Sequence, residues 1–168
     1  MRIFLIGFMA CGKSTYAKAL AEEGNMKALD LDHLVIKECG MSIPTIFDER
    51  GEDFFRKEEE KALKSCAVLD DIVIATGGGT AVFFDNMDFM LSHGISVFLK
   101  VPPEKLIERL KNYDTERPLI TKQKSLEDFV RSELIKRTVF YRKAHFTIDP
   151  LKLSPQLFME FLSGRKGI

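Results

Sequence analysis

Gly7-Phe8-Met9-Ala10-Cys11-Gly12-Lys13-Ser14 decides the fold, with an apolar run before it (3–6) and a helix-compatible segment after it (14–23). It fits G-x-x-x-x-G-K-[ST] at every fixed position. In such a loop consecutive backbone N–H groups turn inward toward phosphate oxygens, and the next helix adds the positive end of its dipole. Lys13 is placed to reach the β- and γ-phosphates, the Ser14 hydroxyl to bind Mg²⁺, and Thr15 to add a contact near the α-phosphate. A glycine-containing turn with a chance Gly-Lys-Ser is the plainer alternative, but it would not have strand, loop and helix in register. The loop specifies a nucleoside triphosphate and leaves the acceptor open, because GTPases and ATPase motors carry the same pattern.

Outward from the loop, apolar runs alternate with helix-like segments. Strands are expected at 3–6, 27–31, Ile72–Ala75, 95–101 and Phe146–Ile148. Helices are expected at 14–23, 33–38, Ile43–Arg50, 52–69, 86–92, Pro103–Lys111, 126–143 and Pro155–Leu162. Strands alternating with helices imply an α/β domain whose five-stranded parallel sheet is covered on both faces, with right-handed crossovers. The polar segment 112–124 lacks apolar periodicity and reads as a mobile lid; the tail from 164 onward reads as frayed.

The chain has 168 residues, 45% of them apolar, which suits one domain with a sizeable core. Its 25 basic and 25 acidic residues cancel, which argues against nucleic acid as a general partner. Cys11, Cys39 and Cys66 are scattered and form no CxxC pair, so neither a disulfide framework nor a zinc site is suggested; a reducing, cytoplasmic setting fits. No run approaches the ~20 apolar residues of a membrane span. The apolar start leads straight into the loop with no cleavage-type or transit segment, so a plastid precursor is not expected.

The acceptor side must be read elsewhere. Asp30 and Asp32 close the second expected strand, where two residues apart means one side. One carboxylate can hold Mg²⁺ through water and the other can take the proton of an attacking hydroxyl; the alternative is a pair of solvated turn residues. Arg56 follows Phe54 and Phe55, which suits a bidentate grip on a carboxylate ligand, or else a surface i, i+4 pair with Glu60. The run Glu58-Glu59-Glu60 reads as a solvated face. Thr76-Gly77-Gly78-Gly79 follows a strand directly, as expected where backbone must approach a ligand closely or take up positive φ, with a flexible hinge as the alternative. Arg117, in Arg117-Pro118-Leu119, can neutralise phosphoryl charge from a closing loop, or be an ordinary exposed arginine.

Together these pieces resemble the shikimate kinases. The matching segments are 7–15, Leu29-Asp30-Leu31-Asp32, Gly40-Met41-Ser42-Ile43 with Ile46-Phe47, Gly51-Glu52 with Phe55-Arg56, Ala75-Thr76-Gly77-Gly78-Gly79, Arg117-Pro118-Leu119, and Arg137 with Tyr141. They occur in the family's order over about residues 1–149. The resemblance implies a three-layer P-loop NTPase fold akin to the nucleoside monophosphate kinases. It implies transfer of the ATP γ-phosphoryl group to the 3-hydroxyl of shikimate, with Mg²⁺, in aromatic amino-acid biosynthesis. It implies that Asp32 orients or deprotonates that hydroxyl and that Arg56 and Arg137 grip the carboxylate. Backbone contacts would come from Gly77, Gly78 and Gly79, metal ligation from Ser14 and Asp30, nucleotide contacts from Ala10, Cys11, Gly12, Lys13, Ser14 and Thr15, adenine stacking from Arg109, and phosphate contact from Arg117. A monomer is expected. The alternatives are a kinase for another small hydroxy acid such as gluconate, and a nucleotide-binding module without turnover. The chain departs from the family's usual spelling at Ala10, where glycine is common, at Cys11, a thiol beside a helix N-terminus that would favour thiolate, and at Lys136, where an acidic residue often precedes the arginine.

Overall fold

Each expected strand forms, and its alternating side chains build two cores rather than one. The computed structural model describes residues 1–112 and 125–164. Five parallel strands, β1 (Arg2–Ile6), β2 (Lys27–Asp30), β3 (Ile72–Ala75), β4 (Ile95–Leu99) and β5 (Phe146–Ile148), lie in the order β2-β3-β1-β4-β5. Ile3, Leu5, Val73, Ala75, Val97 and Leu99 face one side of the sheet, where Ala17 and Leu20 of α1 (Lys13–Glu23), Leu106 of α6 (Pro103–Lys111) and Phe158 of α8 (Pro155–Leu162) complete a core. Phe4, Ile6, Ile72, Ile74 and Phe98 face the other side, packed by Leu31 and Val35 of α2 (Leu31–Cys39), Ile46 of α3 (Ile43–Arg50), Phe55 and Leu63 of α4 (Glu52–Ser65), and Met87 and Met90 of α5 (Asn86–His93). The long helix α7 (Leu126–Tyr141) gives Val130 to the first core and Tyr141 to the second. This is the three-layer architecture expected of strands buried on both faces.

Some boundaries move for physical reasons. β2 stops at Asp30 because that residue caps α2: its Oδ1 accepts from the Asp32 N–H at 3.0 Å. Asp32 therefore stands in a first helical turn, so the expectation that both carboxylates project from one strand is corrected. The expected helix 52–69 ends at Ser65 and tightens into a single 3₁₀ turn, Cys66–Val68. The strand expected at 95–101 ends at Leu99, and the helix at 126–143 ends at Tyr141. Residues 113–124 of the expected lid, with Arg117, and the tail 165–168 lie outside the described residues.

The order of the strands places the site. β1 connects through α1 toward β2 on one side, while β3 connects toward β4 on the other. The crevice at the strands' carboxyl ends thus opens between β1 and β3. Leu5 is in register with Ala75, and the Thr76 N–H and hydroxyl both donate to the Leu5 carbonyl, at 3.1 and 3.0 Å. The segment 7–12 and the glycines 77–79 therefore leave the sheet side by side.

Candidate active site

The loop 7–12 wraps the start of α1. Gly12 takes φ +98°, and no side chain caps the helix, so its first N–H groups remain free to meet an anion. No acidic residue sits in that first turn to compete. Lys13 is 8% exposed and folds over the loop, its Nζ donating to the carbonyls of Gly7 and Phe8 at 2.9 Å each and approaching Cys11 Sγ at 3.7 Å. Ala10 holds φ +60°, a left-handed conformation that costs an L-residue about 1–2 kcal/mol. Its carbonyl accepts from Arg109 Nη1 at 2.9 Å, which ties α6 to the loop. Cys11 faces the core with 1% of its surface exposed; the expectation of a reactive thiol beside the helix N-terminus is corrected, because the residue turns inward beneath Gly7.

Beside the loop, the Ser14 hydroxyl donates to Asp30 Oδ2 at 2.5 Å, while the other Asp30 oxygen caps α2. The cap fixes the carboxylate, and two hard oxygen donors result at the mouth of the loop. That set suits Mg²⁺, which takes one or two protein oxygens together with phosphate and water. Among the described residues no group of three or more His, Cys, Asp or Glu offers a dedicated metal cage.

Two cavities meet here. The first, about 500 Å³, is lined by Met9 through Tyr16, Asp30, Asp32, Thr76, Gly78 and Arg109, and by Pro150, Leu151 and Pro155. The second, about 520 Å³, runs between α2, α3 and α4 and is lined by Phe47, Arg56, Glu59, Gly77, Gly78, Gly79 and Arg137 among others. Met9, Asp30, Asp32 and Gly78 border both. The phosphate loop and the two arginines thus address one junction from opposite sides.

The arginines of the second cavity are held in advance. Arg56 is 4% exposed; Nε and Nη2 donate to Glu52 Oε1 at 3.2 and 2.9 Å, and Nη1 to Glu59 Oε2 at 2.8 Å. Its guanidinium carbon lies 4.3 Å from the Phe83 ring centre and 5.1 Å from that of Phe55. The alternative of a surface pair with Glu60 fails, since Glu60 binds Lys64 instead. Glu59 is fully buried and also accepts from the Thr80 hydroxyl at 2.6 Å, so the solvated-face reading of the glutamate run is corrected at its middle residue. A signal was present: Phe55, Ala62 and Leu63 mark the buried face of α4, and Glu59 falls on it, one turn after Phe55.

Arg137 lies 5.4 Å over the Phe8 ring; Nε and Nη2 donate to Glu133 Oε2 at 3.0 and 2.7 Å, and Nη1 makes a long contact of 3.4 Å with the Gly78 carbonyl. Burial alone would raise the Glu133 carboxyl, but hydrogen bonds from Lys136 and Arg137 outweigh it and hold the group below the usual carboxylate range. The Tyr141 hydroxyl also donates to Gly78, and burial drives its pKa well above the ordinary phenol value, so it stays a neutral donor.

The glycines act by what they lack. None of the three has positive φ. A Cβ on Gly79 would sit 2.7–2.8 Å from the Arg56 guanidinium, one on Gly78 would be 3.0 Å from the Met9 nitrogen, and one on Gly77 would strike Glu59 and lie 3.0 Å from Asp32. The hinge alternative and the positive-φ alternative both give way to close packing.

The comparisons with known proteins agree with this geometry. A family model described as Shikimate kinase matches residues 9–163. The shikimate kinase of Phocaeicola vulgatus is 42% identical over 171 residues, covering 99% of this chain and 98% of the relative. Among solved structures, the Bacteroides thetaiotaomicron shikimate kinase superposes with a TM-score of 0.87 at 36% identity, covering 98% of this chain and 97% of that one. The Acinetobacter baumannii shikimate kinase in complex with shikimate reaches 0.88 at 32% identity, covering 98% and 94%. With a family model spanning nearly all of its length and relatives matched end to end, the chain belongs to the shikimate kinase family.

Proposed function

We propose that this shikimate kinase family member binds ATP in the first cavity and shikimate in the second, and transfers the γ-phosphoryl group to the 3-hydroxyl where the two cavities meet. The observation that carries the division is the shared border of Met9, Asp30, Asp32 and Gly78, with the phosphate loop on one side and Arg56 and Arg137 on the other. The α1 N–H groups and Lys13 hold the β- and γ-phosphates, and Lys13 exchanges its loop carbonyls for phosphate oxygens. Thr15 reaches toward the α-phosphate, and Arg109 lies against the adenine.

Ser14 and Asp30 would hold Mg²⁺, which would supply positive charge to offset that of the phosphates. Asp32, bordering both cavities, accepts a hydrogen bond from the 3-hydroxyl, aligns it and takes its proton as the bond to phosphorus forms. Arg56 and Arg137 fix the carboxylate at the far end, which turns a bimolecular encounter into an oriented one. Arg117, outside the described residues, is assigned the role of offsetting charge on the transferring phosphoryl group. A single domain acting as a monomer in the cytoplasm completes the reading; among the described residues no helix is long and apolar enough to cross a membrane.

An ADP-release assay across shikimate, quinate, gluconate and nucleoside monophosphates tests it. Turnover with shikimate well above the others is expected. A preference for gluconate or a nucleotide, or no turnover with any acceptor, would overturn it.

A further inference from the structure

We infer that Glu133, one helical turn before Arg137, is a positioning residue that presents the Arg137 guanidinium to the acceptor's carboxylate. The inference rests on the reading that Arg137 grips that carboxylate. Arg137 is 6% exposed, so its rotation must be set by neighbours rather than by water. One oxygen of Glu133 takes both Nε and Nη2, which occupies the side edge of the guanidinium. The Phe8 ring lies against its face. Nη1 and the outer hydrogen of Nη2 are left as an end-on fork, with Nη1 already leaning toward Gly78 at the junction of the two cavities. A planar fork fixed on one edge and one face has a single direction in which to meet a carboxylate.

A second observation explains how an acidic residue is tolerated beside an anion site. The other Glu133 oxygen accepts from Lys136 Nζ at 2.8 Å. Lys136, Glu133 and Arg137 form a line of alternating charge in which Lys136 offsets the repulsion that Glu133 alone would exert on a ligand carboxylate. The arginine therefore keeps its acidic support although the position immediately before it is a lysine; the support comes from the preceding turn of the same helix.

Steady-state kinetics of the full chain, with shikimate and ATP varied separately, test the role. Glu133→Ala is expected to raise the shikimate KM about tenfold, the loss of a charge-assisted hydrogen bond, with kcat and the ATP KM changing by less than about twofold. Glu133→Gln, whose amide oxygen still accepts from Nε, is expected to restore the shikimate KM to within about twofold of the parent. In an Arg137→Ala background, Glu133→Ala should add nothing. If Arg137→Ala raises the shikimate KM and Glu133→Ala does not, the inference fails while the carboxylate reading stands. Equal damage from the Gln and Ala variants, or a parallel rise in both KM values, also overturns it. If Arg137→Ala itself leaves the shikimate KM unchanged, the carboxylate reading fails and the inference falls with it.

Discussion

The two cavities are built by opposite strategies. On the proposed reading, the phosphate side is one continuous stretch, 7–15, that would bind through its backbone N–H groups and helix end. The acceptor side is assembled from side chains on α2, α4 and α7 and the turn after β3, and each of its arginines is held by glutamates of its own helix. Backbone binding tolerates exchange of side chains as long as φ and ψ survive. Side-chain binding fails when a single supporting group is removed. Variants on the two sides should therefore separate cleanly.

The largest effect is expected at the junction. Asp32→Ala should lower kcat by about 10²–10⁴-fold with little change in ATP binding, measured by steady-state kinetics and nucleotide titration. Near-normal turnover would remove Asp32 from the chemistry. Next, Arg56→Ala should raise the shikimate KM by about 10–100-fold and leave the ATP KM nearly unchanged. It also strands the buried Glu59, so thermal melting should show a loss of about 3–5 kcal/mol. Equal effects on both substrates would break the separation of the cavities.

Smaller effects sharpen the contrast. Gly79→Ala drives a methyl group into a guanidinium that three hydrogen bonds and two rings hold still, so a cost of about 1–3 kcal/mol and a raised shikimate KM are expected. On the loop side, Ala10→Gly relieves the φ of +60° and should stabilise the fold by about 1 kcal/mol in urea titration, with both KM values little changed. Smallest is a pH effect. The Glu133 carboxyl is held below its unfolded value, so its contribution is present above the ordinary glutamate range and disappears as pH falls through the folded value. The stability gap between parent and Glu133→Gln, about 1 kcal/mol or less for a network whose outer member Lys136 is solvent-exposed, should close on acidification; a gap that widens would contradict the direction.

The same contrast governs how much could be read from sequence. The phosphate loop was legible because its chemistry is local: strand, glycines, lysine and helix lie within one short window, and the ordered motifs carried the fold and the acceptor class with it. Glu59 was not legible by composition, since three consecutive glutamates look solvated and only the packing of α4 against the 3₁₀ turn Thr80–Val82 buries the middle one. Asp30 was expected in the wrong geometry, because a residue that ends a strand and one that caps a helix share a sequence position but point differently. Cys11 looked reactive from its place before a helix, and only the inward turn of the loop beneath Gly7 shows its thiol to be core. Glu133 was not legible because its tie to Arg137 spans a helical turn, whereas adjacency in sequence points to Lys136.

Gly77, Gly78 and Gly79 have a consequence for how such a protein can change over generations. Glu59, Met9 and Arg56 have grown into the space that three missing Cβ atoms leave. A replacement in the turn displaces one of these groups, so the turn and the side chains that fill its space are expected to change together.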